Sequence, residues 1–206
     1  ENLVCFTRIG AISPTGVCRP FDSRADGFVQ SDGIGVVVLR RLEDALRDED
    51  RIYAIIRGTG CNNDGRGEGP MSPRPQGQLL ALRQAYADAQ VSPATVAYFE
   101  AHGTASSVGD PAEVTALGTL LTEAGVQKTA PAILGSVKGN IGHAMSAAGI
   151  AGLIKAVKVI EHRSAPPQAG YESPNPVLEF DRWPLRVLKD AEPLEARKDE
   201  PLRVGI

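Results

Sequence analysis

The most informative part of the sequence is Val96-Ala97-Tyr98-Phe99-Glu100-Ala101-His102-Gly103-Thr104, an apolar run that leads into a glycine-flanked histidine. The run predicts a buried strand that ends just before His102. A helix start follows, because Asp110 is placed to cap, Pro111 suits the first helical position and Glu113 completes a capping box. Since sites in open α/β sheets form at the carboxyl ends of strands, His102 is predicted to lie in one.

A second apolar run, Ala132-Ile133-Leu134-Gly135-Ser136-Val137, leads through Lys138-Gly139-Asn140 to His143. It predicts another short strand, and the small residues after it predict a helix from residue 142 to about residue 161. His143 would then lie in the first turn of that helix, where the positive end of the helix dipole disfavours a protonated ring. A neutral imidazole N–H is suited to stabilise a developing oxyanion, and Lys138 adds positive field.

The chain as a whole alternates strands and helices. Predicted strands cover residues 33–39, 52–56, 96–100 and 132–137, and predicted helices cover residues 42–47, 76–90, 110–123 and 142–161. Near-continuous apolar strands that alternate with helices predict a sheet covered on both faces, and hence an α/β fold. The Gly-, Pro-, Asn- and Arg-rich residues 62–77 predict a loop, and the proline-rich chain after residue 166 is predicted to be extended.

Composition narrows the class of protein. The 206 residues fit one domain or most of one, and 42% hydrophobic with 23% charged residues is ordinary for a globular chain. A net charge of −3 offers no basic surface, so no nucleic-acid partner is predicted. No signal peptide is visible, and the most apolar window, 144–160, is short and broken by two lysines, so no membrane partner is predicted. Cys5, Cys18 and Cys61 lack paired or metal-ligand spacing, which predicts packed, reduced thiols in the cytoplasm and no metal site.

The candidate site residues also have a structural interpretation. A single histidine at an apolar strand end is usually a packed residue, but His102 and His143 are two of three histidines and occupy similar glycine-flanked positions. Their shared pattern favours a site over packing alone. His162, in a polar helix end, is predicted to lie on the surface, and the alternative for Lys138 is a solvated lysine in a turn.

The two histidine motifs resemble those of the β-ketoacyl synthases, the ketosynthase domains of modular polyketide synthases and fatty acid synthases in the thiolase superfamily. Further blocks carry the resemblance in the family's order: Cys18-Arg19-Pro20-Phe21-Asp22, Ala25-Asp26-Gly27-Phe28-Val29, Asn63-Asp64-Gly65, Gly109-Asp110-Pro111 and Pro174-Asn175-Pro176. The resemblance implies a thiolase-like layered α/β/α/β/α fold, here incomplete and corresponding to the C-terminal part of the domain. It predicts one fragment over residues 1–206, with a family-like core over about 1–180 and an extended tail over about 181–206 that leads to the missing last strands.

The resemblance also implies a chemistry, decarboxylative Claisen condensation of an acyl thioester with a malonyl-type extender on acyl carrier protein. His102 and His143 would donate hydrogen bonds to the extender's thioester oxygen, and Lys138 with Glu113 would organise the site electrostatically. Two positions that carry hydroxyls in the family, Thr104 and Ser106, would bind the phosphopantetheine arm. No cofactor would be bound directly, because the substrates are carried on the phosphopantetheine of acyl carrier protein.

The sequence departs from the family pattern at several points. Ser106 stands where threonine is more usual, Met71 replaces a small hydroxyl residue in the loop near the acyl entrance, and Ser31-Asp32-Gly33 replaces Gly-Glu-Gly. The family's nucleophile cysteine belongs to a segment upstream of the matching region, and none of the three cysteines has its context. The chain stops at Ile206, where the family continues into a Gly-rich segment of the acyl oxyanion hole. These features predict that the chain alone is inactive.

Two other functions are compatible with the resemblance. One is a condensation-incompetent ketosynthase-like domain that binds acyl carrier protein and holds or passes the chain, and the presence of His102 argues against it. The other is a non-catalytic partner of the chain-length-factor kind. The partners implied are acyl carrier protein, a second copy in a homodimer and the rest of the ketosynthase domain.

Overall fold

The computed structural model describes residues 2–65, 72–197 and 200–206. Met71, one of the departures from the family pattern, lies outside the described residues. The helices are α1 (Asn2–Arg8), α2 (Leu42–Arg47), α3 (Pro75–Ala89), α4 (Gly109–Glu123), α5 (Lys138–Ile141) and α6 (Ala148–His162). The strands are β1 (Val96–Glu100), β2 (Ala132–Gly135), β3 (Ser164–Ala165), β4 (Leu185–Val187), β5 (Glu192–Pro193) and β6 (Arg203–Gly205).

A four-stranded parallel sheet in the order β4-β2-β1-β6 forms the centre of the fold. Every residue of β1 and β2 is buried, which is the pattern of a sheet covered on both faces. Phe99 and Leu134 pack with Val114 and Leu121 of α4 on one face, while Tyr98 packs with the cluster that includes a buried valine of α6 on the other. The sequence prediction of a doubly covered α/β sheet is therefore confirmed.

The sequence predicted strands over residues 33–39 and 52–56, and both predictions are wrong. Both are irregular, and neither forms a ladder with a neighbouring strand among the described residues. Alternate side chains of the first segment face solvent, with Ile34 93% and Val38 93% exposed. Its other face lies on α6, since a Cβ at Gly35 would lie 2.6 Å from Cγ2 of Ile150. A strand needs hydrogen-bonded partners as well as apolar residues, and here the partners are missing.

The segment predicted as an extended tail, residues 181–206, contributes two strands to the central sheet. Strand β4 pairs with β2, and β6 pairs with β1 on the other side. Trp183, just before β4, packs against α4 at Gly118, where a Cβ would lie only 2.4 Å from the indole. Strand β5 forms a separate antiparallel pair with β3. The tail is thus integrated into the packed sheet.

Candidate active site

The two predicted site histidines converge. His102 follows the end of β1 and His143 follows α5, and their ring centroids are 5.3 Å apart with the rings nearly perpendicular, at 84°. Phe28 supports the second ring, with a centroid separation of 5.0 Å. His102 keeps an exposed edge and His143 is half-buried, so both residues are accessible from solvent. Two strand-end motifs distant in the sequence therefore meet in one place.

The backbone around His102 is held by a carboxylate. The N–H groups of His102 and Gly103 donate to Glu113 Oε1 and Oε2 at 2.6 and 2.9 Å. Gly103 has a φ of +41°, and a Cβ there would lie 2.6 Å from Cβ of Ser136, so this turn requires glycine. Burial raises the pKa of Glu113 to about 7, although the two donors oppose that shift.

The predicted capping box is wrong, because the Glu113 carboxylate accepts the N–H groups of His102 and Gly103 after β1 and does not cap its own helix. Helix α4 begins at Gly109, one residue before the predicted cap, and Asp110 lies inside its first turn. The Asp110 carboxylate is buried and accepts the N–H of Phe21 at 3.0 Å. Both acidic residues at the start of α4 therefore bind backbone donors from elsewhere in the fold, which sequence spacing does not reveal.

Lys138 is buried at the start of α5, with 4% exposure, so its interpretation as a solvated turn lysine is wrong. Its ammonium donates to the His102 carbonyl at 2.6 Å and lies 3.4 Å from His102 Nδ1. Burial lowers the pKa of Lys138, and the carboxylates of Glu113 and Glu100 oppose that shift. The described residues contain no direct ion pair between Lys138 and Glu113, so the two act on the His102 segment separately, one through a carbonyl and one through N–H groups.

The same lysine influences the protonation of His102. Although the residue has an exposed edge, the protein around its ring removes water and, with the positive charge of Lys138, lowers the pKa of His102 to about 4. The ring is therefore neutral at pH 7. Because an ammonium can only donate, Nδ1 accepts and the ring proton resides on Nε2.

His143 reaches the same state by a different route. Its Nδ1 accepts the N–H of Met145 at 3.0 Å, which leaves the ring proton on Nε2. Burial, followed by the charge of Lys138, lowers the pKa of His143. The backbone of His143 is fixed by hydrogen bonds to Val29 and Ser31 at 2.7 and 3.1 Å. Both rings thus present an Nε2–H donor.

The predicted helix over residues 142–161 is wrong at its start. Gly142, with a φ of +75°, ends α5, and α6 begins only at Ala148. His143 therefore lies in a connection between two helices rather than in the first turn of the longer one. Its neutral state follows from burial and a nearby ammonium, and the helix dipole is not the cause.

Thr104 and Ser106, predicted to bind the substrate arm, hydrogen-bond to each other. Thr104 Oγ1 donates to Ser106 Oγ at 3.1 Å, and Ser106 Oγ also accepts the N–H of Gly109 at 3.0 Å. The second contact satisfies a backbone donor at the start of α4. The Ser106 hydroxyl retains its own proton for donation to a ligand, so binding of the arm stays a prediction.

The three cysteines differ from the prediction that all are packed. Cys18 is buried, but Cys5 and Cys61 are exposed. Burial raises the pKa of Cys18 to about 11, which is opposite to the shift that creates a nucleophilic thiolate. Across the ranges that the structure describes, no group of three or more His, Cys, Asp or Glu residues is arranged to hold a metal ion. None of the described helices is long and apolar enough to cross a membrane.

Sequence reasoning missed two groups that hold the turn before Lys138. The Gln168 side chain accepts the N–H of Ser136 at 2.6 Å and donates to its carbonyl at 3.2 Å. The Ser136 hydroxyl donates to the carbonyls of His102 and Gly103 at 3.2 and 3.1 Å. Gln168 lies 32 residues beyond Ser136 in an irregular stretch, so no local pattern identifies it.

The arrangement agrees with the comparisons to known proteins. Residues 53–172 match the family described as β-ketoacyl synthase, C-terminal domain, and residues 1–45 match the β-ketoacyl synthase N-terminal domain. A phenolphthiocerol/phthiocerol polyketide synthase of Mycobacterium tuberculosis is 47% identical over 201 residues, which cover 98% of this chain. The chain spans only 11% of the length of that much longer relative.

Solved structures give the same result. The ketosynthase from module 6 of the bacillaene synthase of Bacillus subtilis 168 is 38% identical with a TM-score of 0.94, over 99% of this chain and 36% of that one. The ishigamide ketosynthase/chain length factor is 31% identical with a TM-score of 0.82, over 95% of this chain and 45% of that one. The predicted thiolase-like fold is therefore confirmed, and the chain corresponds to part of a ketosynthase domain of the type I polyketide synthase class. The chain belongs to the β-ketoacyl synthase family.

Proposed function

We propose that the ketosynthase domain to which this chain belongs catalyses decarboxylative Claisen condensation in polyketide synthesis. The observation that carries the proposal is the convergence of two imidazoles, with ring centroids 5.3 Å apart and each Nδ1 facing a donor, so that each Nε2 is left to carry the ring proton. This chemistry creates an enolate, whose oxygen carries the negative charge. Two fixed N–H donors stabilise such an oxygen without adding a proton to it.

In the proposed reaction, the malonyl-type extender loses its carboxylate as carbon dioxide, and the electron pair of the broken C–C bond forms the enolate of its thioester. His102 and His143 donate to the enolate oxygen, each contributing roughly 3 kcal/mol of transition-state stabilisation. The enolate carbon then attacks the acyl thioester and expels the thiolate of the nucleophile cysteine. That cysteine is contributed from outside the 206 residues.

Lys138 and Glu113 are positioning residues in this proposal. The ammonium of Lys138 holds the His102 carbonyl and adds to the effect of burial in lowering the pKa of the His102 ring, while the carboxylate of Glu113 holds the N–H groups of the same turn. A protonated His102 would favour protonation of the enolate over its attack on the acyl group. The charge of Lys138 therefore supports condensation without contact with the substrate.

The partners follow from the same assignment. The substrate thioesters arrive on the phosphopantetheine of acyl carrier protein, with Thr104 and Ser106 as the hydroxyl contacts to that arm, and no cofactor is bound directly. The exposed apolar residues of the segment 33–39 are suited to contact the rest of the ketosynthase domain. The complete domain would act as a homodimer in the cytoplasm.

A second candidate function is that of a non-condensing partner of the chain-length-factor kind. It is favoured by the similarity to the ishigamide ketosynthase/chain length factor over 95% of this chain. The residue at the nucleophile position distinguishes the two functions, because only a cysteine there can carry the acyl group. The presence of both site histidines favours condensation.

The proposed function is tested by His143→Ala in the complete domain. Extender decarboxylation is expected to fall at least about a hundredfold because one of the two enolate donors is lost, while acyl loading on the cysteine remains measurable. Carbon dioxide release and acyl-enzyme formation are followed separately. His162→Ala, at the exposed end of α6, is the matched control and should leave both steps unchanged. Normal condensation in His143→Ala would contradict the role assigned to this ring.

A further inference from the structure

A buried polar cluster that the proposed reaction does not use adjoins the His102 segment. It consists of Tyr98, Glu100 and Lys155. The Glu100 side chain is 2% exposed and that of Lys155 15% exposed. Glu100 Oε1 accepts the N–H of Val137 at 2.5 Å. Its Oε2 accepts the Tyr98 hydroxyl at 2.8 Å and the Lys155 ammonium at 2.8 Å.

Glu100 and its partners belong to segments that adjoin the site residues. Glu100 itself ends β1, two residues before His102. Val137 immediately precedes Lys138, and Lys155 belongs to α6, the helix that follows the connection containing His143. One carboxylate therefore connects the end of β1, the turn that carries Lys138 and the helix α6.

The Glu100 carboxylate lies at the point where the backbone pairing between β1 and β2 ends. The β1–β2 ladder ends with Glu100 opposite Gly135 and the Ala101 N–H bonded to the Gly135 carbonyl. Beyond that point side chains link the two segments. The Ser136 hydroxyl donates to the carbonyls of His102 and Gly103, and the Glu100 carboxylate accepts the N–H of Val137. Gly152 lets α6 approach, since a Cβ there would lie 3.3 Å from Glu100 Cγ.

A buried ion pair is a costly way to obtain stability alone. Removing two charges from water offsets much of their attraction, and apolar side chains of similar volume are often as stabilising. Such a pair does impose direction, because its hydrogen bonds fix the atoms that accept and donate. The Glu100 cluster therefore fits a geometric role better than a purely energetic one.

We propose that Glu100, supported by Lys155 and Tyr98, is a positioning residue that sets the distance and orientation between the His102 ring and the His143 ring. It does so by fixing the turn that carries Lys138 against the end of β1 and by holding α6 to both. The catalytic part of this inference rests on the proposed function. The geometric part does not, since it concerns only how the two rings are held.

The test uses Glu100→Gln in the complete ketosynthase domain. Glutamine keeps the size and one acceptor for Val137 but removes the charge that binds Lys155. The kcat for extender decarboxylation should fall about tenfold to a hundredfold, as expected for a small displacement of reacting groups, with the KM for the carrier-bound extender little changed. Acyl loading on the nucleophile should continue at the wild-type rate.

A second measurement separates positioning from stability. The ring nitrogen resonances of His102 and His143 in 15N-labelled protein report which nitrogen carries the proton, with His162 as an internal reference. In Glu100→Gln the Nε2–H pattern of His102 should become mixed, because a neutral amide oxygen binds the Val137 N–H more weakly than a carboxylate does and so holds Lys138 less firmly beside Nδ1. A role limited to stability would leave these resonances unchanged in the folded protein. The resonances can be measured in a protein without activity. If the wild-type domain did not decarboxylate the extender, the proposed function would be wrong, but the resonances would still test the positioning role.

Lys155→Met provides the decisive companion variant, and the only variant needed if Glu100→Gln does not fold. It keeps Glu100 and removes the ammonium, and it should reproduce the loss of kcat and the altered ring resonances to a smaller extent. Lys158→Met, which removes a surface ion pair with Glu161 on the same helix, is the matched control and should change neither. Wild-type kcat and wild-type ring resonances in folded Lys155→Met would overturn the proposal.

Discussion

The buried strand β1 and the segment 33–39 are both rich in apolar residues, yet only β1 is a strand. Val96 to Glu100 has a parallel neighbour on each side and is buried throughout. The segment 33–39 has no ladder partner among the described residues, and its alternate side chains reach 80–93% exposure. Apolar sequence therefore indicates where a strand is able to form, while the strand itself depends on neighbours distant in sequence.

The strongest test of this contrast is the change in the free energy of unfolding when a core residue is truncated. Leu134→Ala in β2 should lower the free energy of unfolding by about 2–5 kcal/mol, because the side chain is 1% exposed and its removal leaves a cavity. Urea denaturation followed by circular dichroism measures the change. Leu80→Ala on α3 makes the same chemical change at a residue that is 48% exposed, and should cost less than about 1 kcal/mol. Equal losses for the two variants would contradict the assignment of the core.

A second prediction concerns the turn at the end of β1. Gly103→Ala should cost about 1–3 kcal/mol of stability, because φ is +41° and the new methyl would meet Ser136 at 2.6 Å. The melting temperature measures the effect. Gly149→Ala in α6, where a Cβ meets nothing within 4 Å, should be neutral or stabilising by up to about 1 kcal/mol. Similar melting temperatures for the two variants would show that the turn at His102 is not constrained as described.

A third prediction concerns pH. His102 has a pKa lowered from 6.5 in the unfolded chain to about 4 in the folded one, so the unfolded state binds more protons between these values. Stability should therefore fall as the pH is lowered from 6.5 toward 4. His102→Asn removes this contribution. The free energy of unfolding should then change less with pH, by the equivalent of a fraction of one bound proton, as measured by urea unfolding at about pH 5 and about pH 7.5. An unchanged slope would show that the ring is not held neutral.

The smallest expected effect lies on the exposed segment. Val38→Thr should change the free energy of unfolding of this chain by less than about 0.5 kcal/mol, because the side chain is 93% exposed. Val114→Thr, the same change at a fully buried position of α4, should cost about 1–3 kcal/mol through an unsatisfied hydroxyl. A large effect of Val38→Thr confined to the complete domain would show that the rest of the ketosynthase covers this segment there.

The sequence predicted two strands of the central sheet, β1 and β2, and the longer helices. The strand before His102 and the helices α2, α3 and α4 lie within one or two residues of the prediction. The start of α6 was predicted six residues early because Gly142 and the turn after it carry no strong stop signal. The ends of helices depend on tertiary contacts such as that of His143 with Val29, which no sequence window contains.

In the candidate site, too, some features were predicted from the sequence and others were not. His102 and His143 were predicted from their motifs, and the structure brings their rings together. Glu113 was also predicted as a site residue, from the resemblance, but its hydrogen bonds to the backbone after β1 were not predicted, and Gln168 and Glu100 were given no role. Their contacts join residues up to 37 positions apart, so a local pattern points elsewhere, as the expected capping box at Glu113 did.

Side-chain periodicity and local turn chemistry were enough to predict β1, β2 and the longer helices and to single out His102 and His143. The folded chain was needed to show which apolar segments become strands, which carboxylate binds which backbone donor, and why both rings are neutral. Those features depend on burial and on the distance between groups far apart in the chain, and both quantities exist only once the chain has folded.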